Sequence, residues 1–352
     1  MARQILLAAR AANASDVHIK SGEIPILRVA GQLVEVEGMQ AIPADQCEQA
    51  LLSLLDEARR QHFLETNDLD FCYDGGDELG RFRTNFMRQH RGMDGIFRLI
   101  SSEVPSFEEL RLPPLIKKFT EYKQGIVLIT GPKGSGKTTT LAAMVDLINS
   151  TRAEHIITVE DPIEFVHPCK KGHVNQREVG PHTKTFSAAL RAALREAPDV
   201  IMVGEMRDLE TTSLAITAAE TGHLVFATLH TPDALRTIDR VLDVFPAKEQ
   251  GQIRSMIAES MRGIVSQLLL PSVDGKRQEL AVEILVNTIA VGNLIREAKT
   301  FQLRGIMQTG RKLGMQLMDD ALIELVKAKK VSKEDVLTVA TERQRVETEL
   351  GG

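Results

Sequence analysis

The stretch GPKGSGKT, residues 131–138, lies between the apolar run IVLIT (126–130) and TTLAAMVDLIN (139–149), whose apolar residues recur at helical spacing. It meets the pattern G-x-x-x-x-G-K-[ST] at every fixed position, and the order strand, loop, helix is the setting of a phosphate loop. Its glycines let backbone N–H groups turn inward around a polyphosphate, and the following helix adds the positive end of its dipole. Lys137 then reaches the β- and γ-oxygens while Thr138 offers a hydroxyl to Mg²⁺. The nucleotide-binding set is Gly131, Pro132, Lys133, Gly134, Ser135, Gly136, Lys137, Thr138 and Thr139, with ATP and Mg²⁺ as cofactors. A plain glycine-rich turn with a solvated lysine would need motif, strand and helix to coincide by chance.

Working outward, three more apolar runs follow, HIITV (155–159), DVIMV (199–203) and HLVFATL (223–229), separated by helical stretches such as SAALRAALREA (187–197) and LETTSLAITAAE (209–220). This alternation is α/β with a parallel sheet. Parallel strands put their carboxyl ends on one rim, where such sheets bind ligands. The first run opens into the loop, the second ends in Glu160 and Asp161, the third leads through Gly204 to Glu205, and the fourth ends at His230. Phosphoryl transfer to water needs positioning and charge neutralisation. Glu205, after an apolar strand, is the metal-side candidate, and Thr138 shares the ion. Glu160 is the candidate for polarising water. Asp161 either supports the loop or caps the next segment. His230 either contacts the γ-phosphate or is a satisfied structural histidine. His223, at the start of its strand, belongs to the opposite end of the sheet.

The first hundred residues read differently: a helix over 2–12, alternating runs, a helix over 44–65 and further alternating runs to residue 101, punctuated by glycine turns. That is α+β on an antiparallel sheet. Residues 102–115 hold three prolines in 14 positions and read as a semi-rigid connector. After Pro246 helices are expected over 248–270, 288–298, 316–329 and 332–349, with a hairpin at PSVDGKRQELAVEIL (271–285).

Composition narrows the function. The 352 residues hold 43 basic and 48 acidic side chains, a net charge of −5, and only 12 Phe and 2 Tyr as aromatics, so a broadly cationic nucleic-acid binder is excluded. Cys47, Cys72 and Cys169, odd in number and far apart, are expected to be free thiols in a reducing compartment. No apolar stretch suffices to span a bilayer, and the chain is expected to be cytosolic.

The segments GPKGSGKTTT (131–140), ITVEDPIEF (157–165), VIMVGEMRD (200–208) and TGHLVFATLHT (221–231) resemble the Walker A, Asp box, Walker B and His box of the secretion ATPases, RecA-like P-loop NTPases. The chain length, ASDVHIK (14–20), AVGNLIREAKT (290–300) and GMQLMDDAL (314–322) are more similar to the retraction ATPases of type IV pili than to the longer assembly ATPases. The likeness covers nearly the whole chain, and the tetracysteine insertion of many assembly ATPases is absent. It implies a PAS-like N-terminal domain (1–101), a linker (102–116), a RecA-like core (117–270) and a mainly helical remainder (271–352). It also implies a homo-hexamer whose ATP hydrolysis powers pilus retraction and twitching motility. Such a ring is cytoplasmic, peripheral to the inner membrane at the pilus base, with an inner-membrane platform protein and a second retraction ATPase as partners and no nucleic acid. A pilus assembly or type II secretion ATPase and a non-hydrolysing accessory ring protein are the alternatives.

The resemblance further implies that N-terminal-domain arginines supply charge to the γ-phosphate, and Arg81, Arg83 and Arg98 match best. Arg81 and Arg83, two apart, would share one strand face, which is otherwise simply a solvated face. Two departures stand out. Lys133 occupies a loop position where relatives often carry a small polar residue. Val291 and Gly292 replace Ile and Arg of the family's AIRNLIRE segment, removing a cation and placing in a helix a residue that costs about 1 kcal/mol relative to Ala.

Overall fold

The computed structural model describes residues 1–29, 31–100, 103–275 and 277–351; Ser101 and Ser102, where the expected N-terminal domain ends and the linker begins, lie outside the described residues, as do Lys276 of the expected hairpin and Gly352. The chain divides into two compact units, Met1–Glu103 and Val104–Gly352.

The first unit is built on six strands: β1 (Asp16–Ile19), β2 (Ile26–Val29), β3 (Gln32–Glu35), β4 (Asp68–Asp74), β5 (Arg81–Gln89) and β6 (Gly92–Leu99). Their order is β3-β2-β1-β6-β5-β4, and every pairing is antiparallel. One face carries Phe82, Phe86 and Phe97 in edge-to-face contact, and the helices Ala2–Ala11 and Ala44–Leu52 cover it with Ile5, Leu6, Cys47 and Leu51. The helix expected over 44–65 is two helices, Ala44–Leu52 and Glu57–Thr66. Asp56 starts the second by accepting from the Arg59 amide at 2.8 Å, so the break is a capping event within a continuous helical pattern.

The second unit holds seven strands: β7 (Gly125–Thr130), β8 (His155–Glu160), β9 (His173–Glu178), β10 (Val200–Val203), β11 (Leu224–Leu229), β12 (Met261–Pro271) and β13 (Gln278–Val286), in the order β13-β12-β7-β11-β10-β8-β9. All neighbours are parallel except β12 and β13. The continuous apolar runs follow from burial on both faces. Ile126 and Leu128 of β7 enter one core with Val225 and Ala227, while Val127 and Ile129 enter the other with Phe226 and Met144. Phe107, Leu112, Ile116 and Phe119 join the second core, so the proline-bearing segment from Val104 packs on this unit.

The helix expected over 248–270 ends at Ser260, and residues 261–271 form β12, inserted beside β7 with Val265 opposite Ile129. A short run that is apolar all round fits a buried helix and a two-face-buried strand equally, and here tertiary pairing decides. The helix expected over 332–349 is also two, Lys333–Val339 and Arg343–Glu349. Between them the amides of Thr341 and Glu342 donate to the buried Asp319 carboxylate at 2.8 and 2.9 Å, a better partner than another helical turn offers. Gly292 lies buried in the helix Ile289–Arg296, where a Cβ would stand 3.2 Å from the Ala258 carbonyl oxygen. The helix Gln250–Ser260 thus approaches this position closely, so a side chain here would need a small shift of one helix.

Among the described residues no cysteine forms a disulfide, and no helix is long and apolar enough to cross a membrane.

Asn149, fully buried in the helix Lys137–Thr151, ties the β8–β9 connection to that helix: its Nδ2 donates to Pro168 O at 2.8 Å and its Oδ1 accepts from Lys170 N at 3.1 Å. Asn149→Ala strands both backbone groups and is expected to destabilise the chain by about 1–3 kcal/mol, measured as a lowered midpoint of denaturant unfolding with unchanged slope.

Candidate functional site

The phosphate loop emerges from the carboxyl end of β7. Gly131 has φ +140°, and a Cβ there would sit 2.3 Å from the Gln267 carbonyl oxygen of neighbouring β12, so only glycine lets the loop leave the strand in this direction. Gly136, at φ +85°, starts the helix Lys137–Thr151. Pro132, Lys133 and Gly134 are exposed, Thr138 and Thr139 are half-buried at the first helical turn, and Ser135 is buried with its Oγ lacking a hydrogen-bond partner.

Lys137 is itself buried. Its Nζ donates to the carbonyl oxygens of Gly131 and Pro132, both at 2.8 Å, and lies 3.3 Å from Nδ1 of His230. The other ring nitrogen of His230, Nε2, lies 3.3 Å from Oε1 of Glu205. A neutral imidazole protonated at Nε2 satisfies both contacts at once, accepting from the lysine and donating to the carboxylate. Desolvation pulls the Lys137 pKa down, against the attraction of Glu205 and Glu164. Desolvation pulls the Glu205 carboxyl up, but the hydrogen bond from Arg207 and the presence of His230 outweigh it and hold the group below the usual carboxylate range. Three of the four strand endings thus meet, in the order β7, β11, β10 that the sheet dictates. His223 stands at the other end of β11, with its Nδ1 2.9 Å from Ala218 O.

Glu160 ends β8 in a different environment. It is 4% exposed, and its Oε1 accepts from Thr158 Oγ1 at 2.7 Å and from Gln176 Nε2 at 3.0 Å. Burial pushes its pKa up to about 7, against these two bonds and the backbone of Glu164. The Thr158 and Gln176 bonds tie it to β8 and β9, whereas Lys137, His230 and Glu205 contact one another. Asp161 precedes Pro162 through a cis peptide and caps no helix.

Two contributors were invisible in the sequence pattern. Arg207, two residues past Glu205, places its Nη2 2.6 Å from Glu205 Oε2; the signal was a cation beside the strand-end acid in GEMRD. Gln176 comes from β9, whose polar sequence HVNQRE does not announce a strand. Beside the loop lies a cavity of about 410 Å³, whose walls include Ser135, Gly136, Thr139 and Gln267.

In the first unit, Arg81 and Arg83 alternate with the buried Phe82 and Thr84 and so share the opposite face of β5. Arg83 stands directly opposite Arg98 in the β5–β6 ladder, which places all three candidate arginines on one face. Like charges opposite each other destabilise a sheet. Asp16 offsets this by accepting from Arg98 Nε at 2.9 Å and pairing with Arg28 Nε at 3.5 Å. Burial raises the Asp16 pKa, but these partners and Ser15 hold it below its ordinary value.

Among the described residues no cluster of His, Cys, Asp and Glu forms a ready-made metal cage. Hydroxyl and carboxylate oxygens, such as those of Thr138 and Glu205, are the donor type that the hard Mg²⁺ ion takes, most of its ligands being waters and phosphate.

The model of the family described as type II/IV secretion system protein matches residues 81–349. The chain is 48% identical over 322 residues to the type IV pilus retractation ATPase PilT of Pseudomonas aeruginosa, covering 92% of this chain and 93% of that one. It is 48% identical over 303 residues to a twitching motility protein of Neisseria gonorrhoeae, covering 86% and 80% respectively. The crystal structure of the pilus retraction motor PilT with bound ADP superposes with a TM-score of 0.92 at 42% identity, covering 98% of each chain.

The buried Glu160 carboxyl has its folded-state pKa raised from 4.5 to about 7, so its stabilising contribution is complete below pH 4.5 and is lost as pH rises through about 7. Glu160→Gln keeps an oxygen for Thr158 and Gln176 without that loss. The variant is expected to match the parent near pH 4.5 and to exceed it in unfolding free energy above pH 7 by up to roughly 3 kcal/mol, read from denaturant curves across this range.

Proposed function

The chain belongs to the type II/IV secretion system protein family, and we propose that it is an ATP-hydrolysing motor that retracts type IV pili. The observation that carries the catalytic part is the unbroken run of contacts from Lys137 through His230 to Glu205 at the mouth of a glycine-rich loop. The retraction part rests on near end-to-end likeness to retraction ATPases.

In this mechanism the charged oxygens of the β- and γ-phosphates outcompete the neutral carbonyls of Gly131 and Pro132 for the Lys137 ammonium. Backbone N–H groups of residues 134–139 and the helix dipole receive the remaining phosphate charge. The base and ribose occupy the 410 Å³ cavity beside the loop, a size suited to a ligand of this class. Thr138 and Glu205 hold Mg²⁺, which when bound neutralises charge on the phosphate oxygens. His230, with one nitrogen toward Lys137 and the other toward Glu205, registers whether either partner has turned toward the nucleotide. Glu160 polarises the attacking water, and a carboxyl with pKa about 7 changes between acid and base close to neutral pH. Arg81, Arg83 and Arg98 supply charge to the γ-phosphate, their fork suiting two phosphate oxygens at once.

The working form is a homo-hexamer divided as the sequence suggests, into a PAS-like domain, a linker, a RecA-like core and a helical remainder. It acts in the cytoplasm at the inner-membrane base of the pilus on a platform protein, alongside a second retraction ATPase.

Lys137→Ala is expected to lose ATP binding and turnover together, whereas Glu160→Gln keeps binding and loses turnover; normal turnover in Glu160→Gln would remove that residue from the chemistry. Parental turnover should rise as pH passes upward through about 7, as Glu160 ionises. Combined replacement of Arg81, Arg83 and Arg98 is expected to slow hydrolysis by up to about 10³- to 10⁵-fold if one acts as a full arginine finger, measured as steady-state phosphate release. In cells, deletion should leave pili extended and persistent. Loss of pili would assign the chain to assembly.

A further inference from the structure

The cavity beside the phosphate loop has a second, charged wall. Glu279 of β13 is buried, its side chain 4% exposed, and three cations from three separate segments converge on it. Arg111 Nη1 lies 3.4 Å from Oε1 and comes from the turn before the helix Pro114–Phe119. Arg277 Nε lies 2.6 Å from the same oxygen and comes from the β12–β13 hairpin. Lys330 Nζ lies 3.8 Å from Oε2 and follows the helix Met318–Lys327. All four residues line the same cavity as Ser135, Gly136 and Thr139. Glu109, the other carboxylate on its wall, is engaged locally, accepting from Ser106 N at 2.7 Å and Ser106 Oγ at 2.8 Å.

We propose that Glu279 is a positioning residue for nucleotide binding, gathering Arg111, Arg277 and Lys330 into one wall of the ATP cavity. This rests on the proposed ATP site and deepens it. The physical basis is unequal exposure. The anion is buried while the cations are 53%, 52% and 40% exposed, so each cation retains solvation and the carboxylate depends on them. Take away that one negative charge, and three cations are left facing one another with each free to turn to water. Three segments far apart in sequence then lose their common tie, and the cavity wall they form loosens. The phosphate loop, Glu160 and Glu205 keep their own hydrogen bonds, so binding changes and the chemical step does not.

The test uses the full chain and steady-state ATPase. Glu279→Gln is expected to raise KM for ATP on the order of tenfold while kcat stays within about twofold, and Glu279→Asp should recover most of the loss. Arg111→Gln should raise KM in the parent but add little in the Glu279→Gln background, since both act on one tie. An unchanged KM in a folded Glu279→Gln protein, or a fall in kcat alone, overturns the proposal. If Glu279→Gln does not fold, Arg111→Gln and Lys330→Gln decide: a raised KM in both supports it, and an unchanged KM in both overturns it. Parent protein that binds no ATP would instead defeat the ATP site itself.

Discussion

A buried ammonium group is the constraint around which the second unit is arranged. Lys137 sits at the start of a helix, whose positive dipole end repels it, and inside the protein, where its charge has lost water. It is tolerable there because two loop carbonyls and an imidazole surround it, and because a carboxylate lies one residue further along the chain of contacts. Each of those partners requires something of the fold. The carbonyls require a loop that doubles back, hence glycine against the β12 backbone; the imidazole and carboxylate require β11 and β10 to follow β7 in that order. Strand order, loop geometry and site chemistry are one requirement seen at three scales.

The second acid is held by the opposite logic. Glu205 keeps its charge because cationic and polar neighbours outweigh its burial, whereas Glu160 is enclosed with only neutral donors and carries its proton to about neutral pH. Two glutamates that look alike as strand endings are thereby given different acidities, by Arg207 and His230 holding one down and by burial, only partly offset by Thr158 and Gln176, pushing the other up. A stable fold alone would have placed a glutamine at residue 160. An ionisable group enclosed with neutral donors is of the kind that catalytic sites keep at a cost in stability.

Much of this was legible in the sequence, and the limits were physical. Four apolar runs with polar endings identified a parallel sheet and the rim on which three of those endings meet, because burial on both faces leaves a continuous signature. The contact of His230 with Lys137 was not legible, since it depends on which strand neighbours which, a tertiary fact. β12 was hidden because an all-apolar run satisfies helix and strand alike, and β9 because an edge strand with exposed polar side chains has no apolar period. The helices expected over 44–65 and 332–349 were overextended because a single acceptor, Asp56 in one and Asp319 in the other, captured amides that the pattern alone would have assigned to another turn. Gly292 looked like a helix-weakening anomaly until the packing of Ala258 against it was seen.

The helix that begins with Lys137 ends where Asn149 grips the β8–β9 connection, and that connection carries Gln176 back to Glu160. Fifteen residues of α-helix make a rigid strut of roughly 22 Å. The strut therefore spans from the phosphate loop at one end to the β8–β9 connection at the other, so the two cannot be repositioned independently of it.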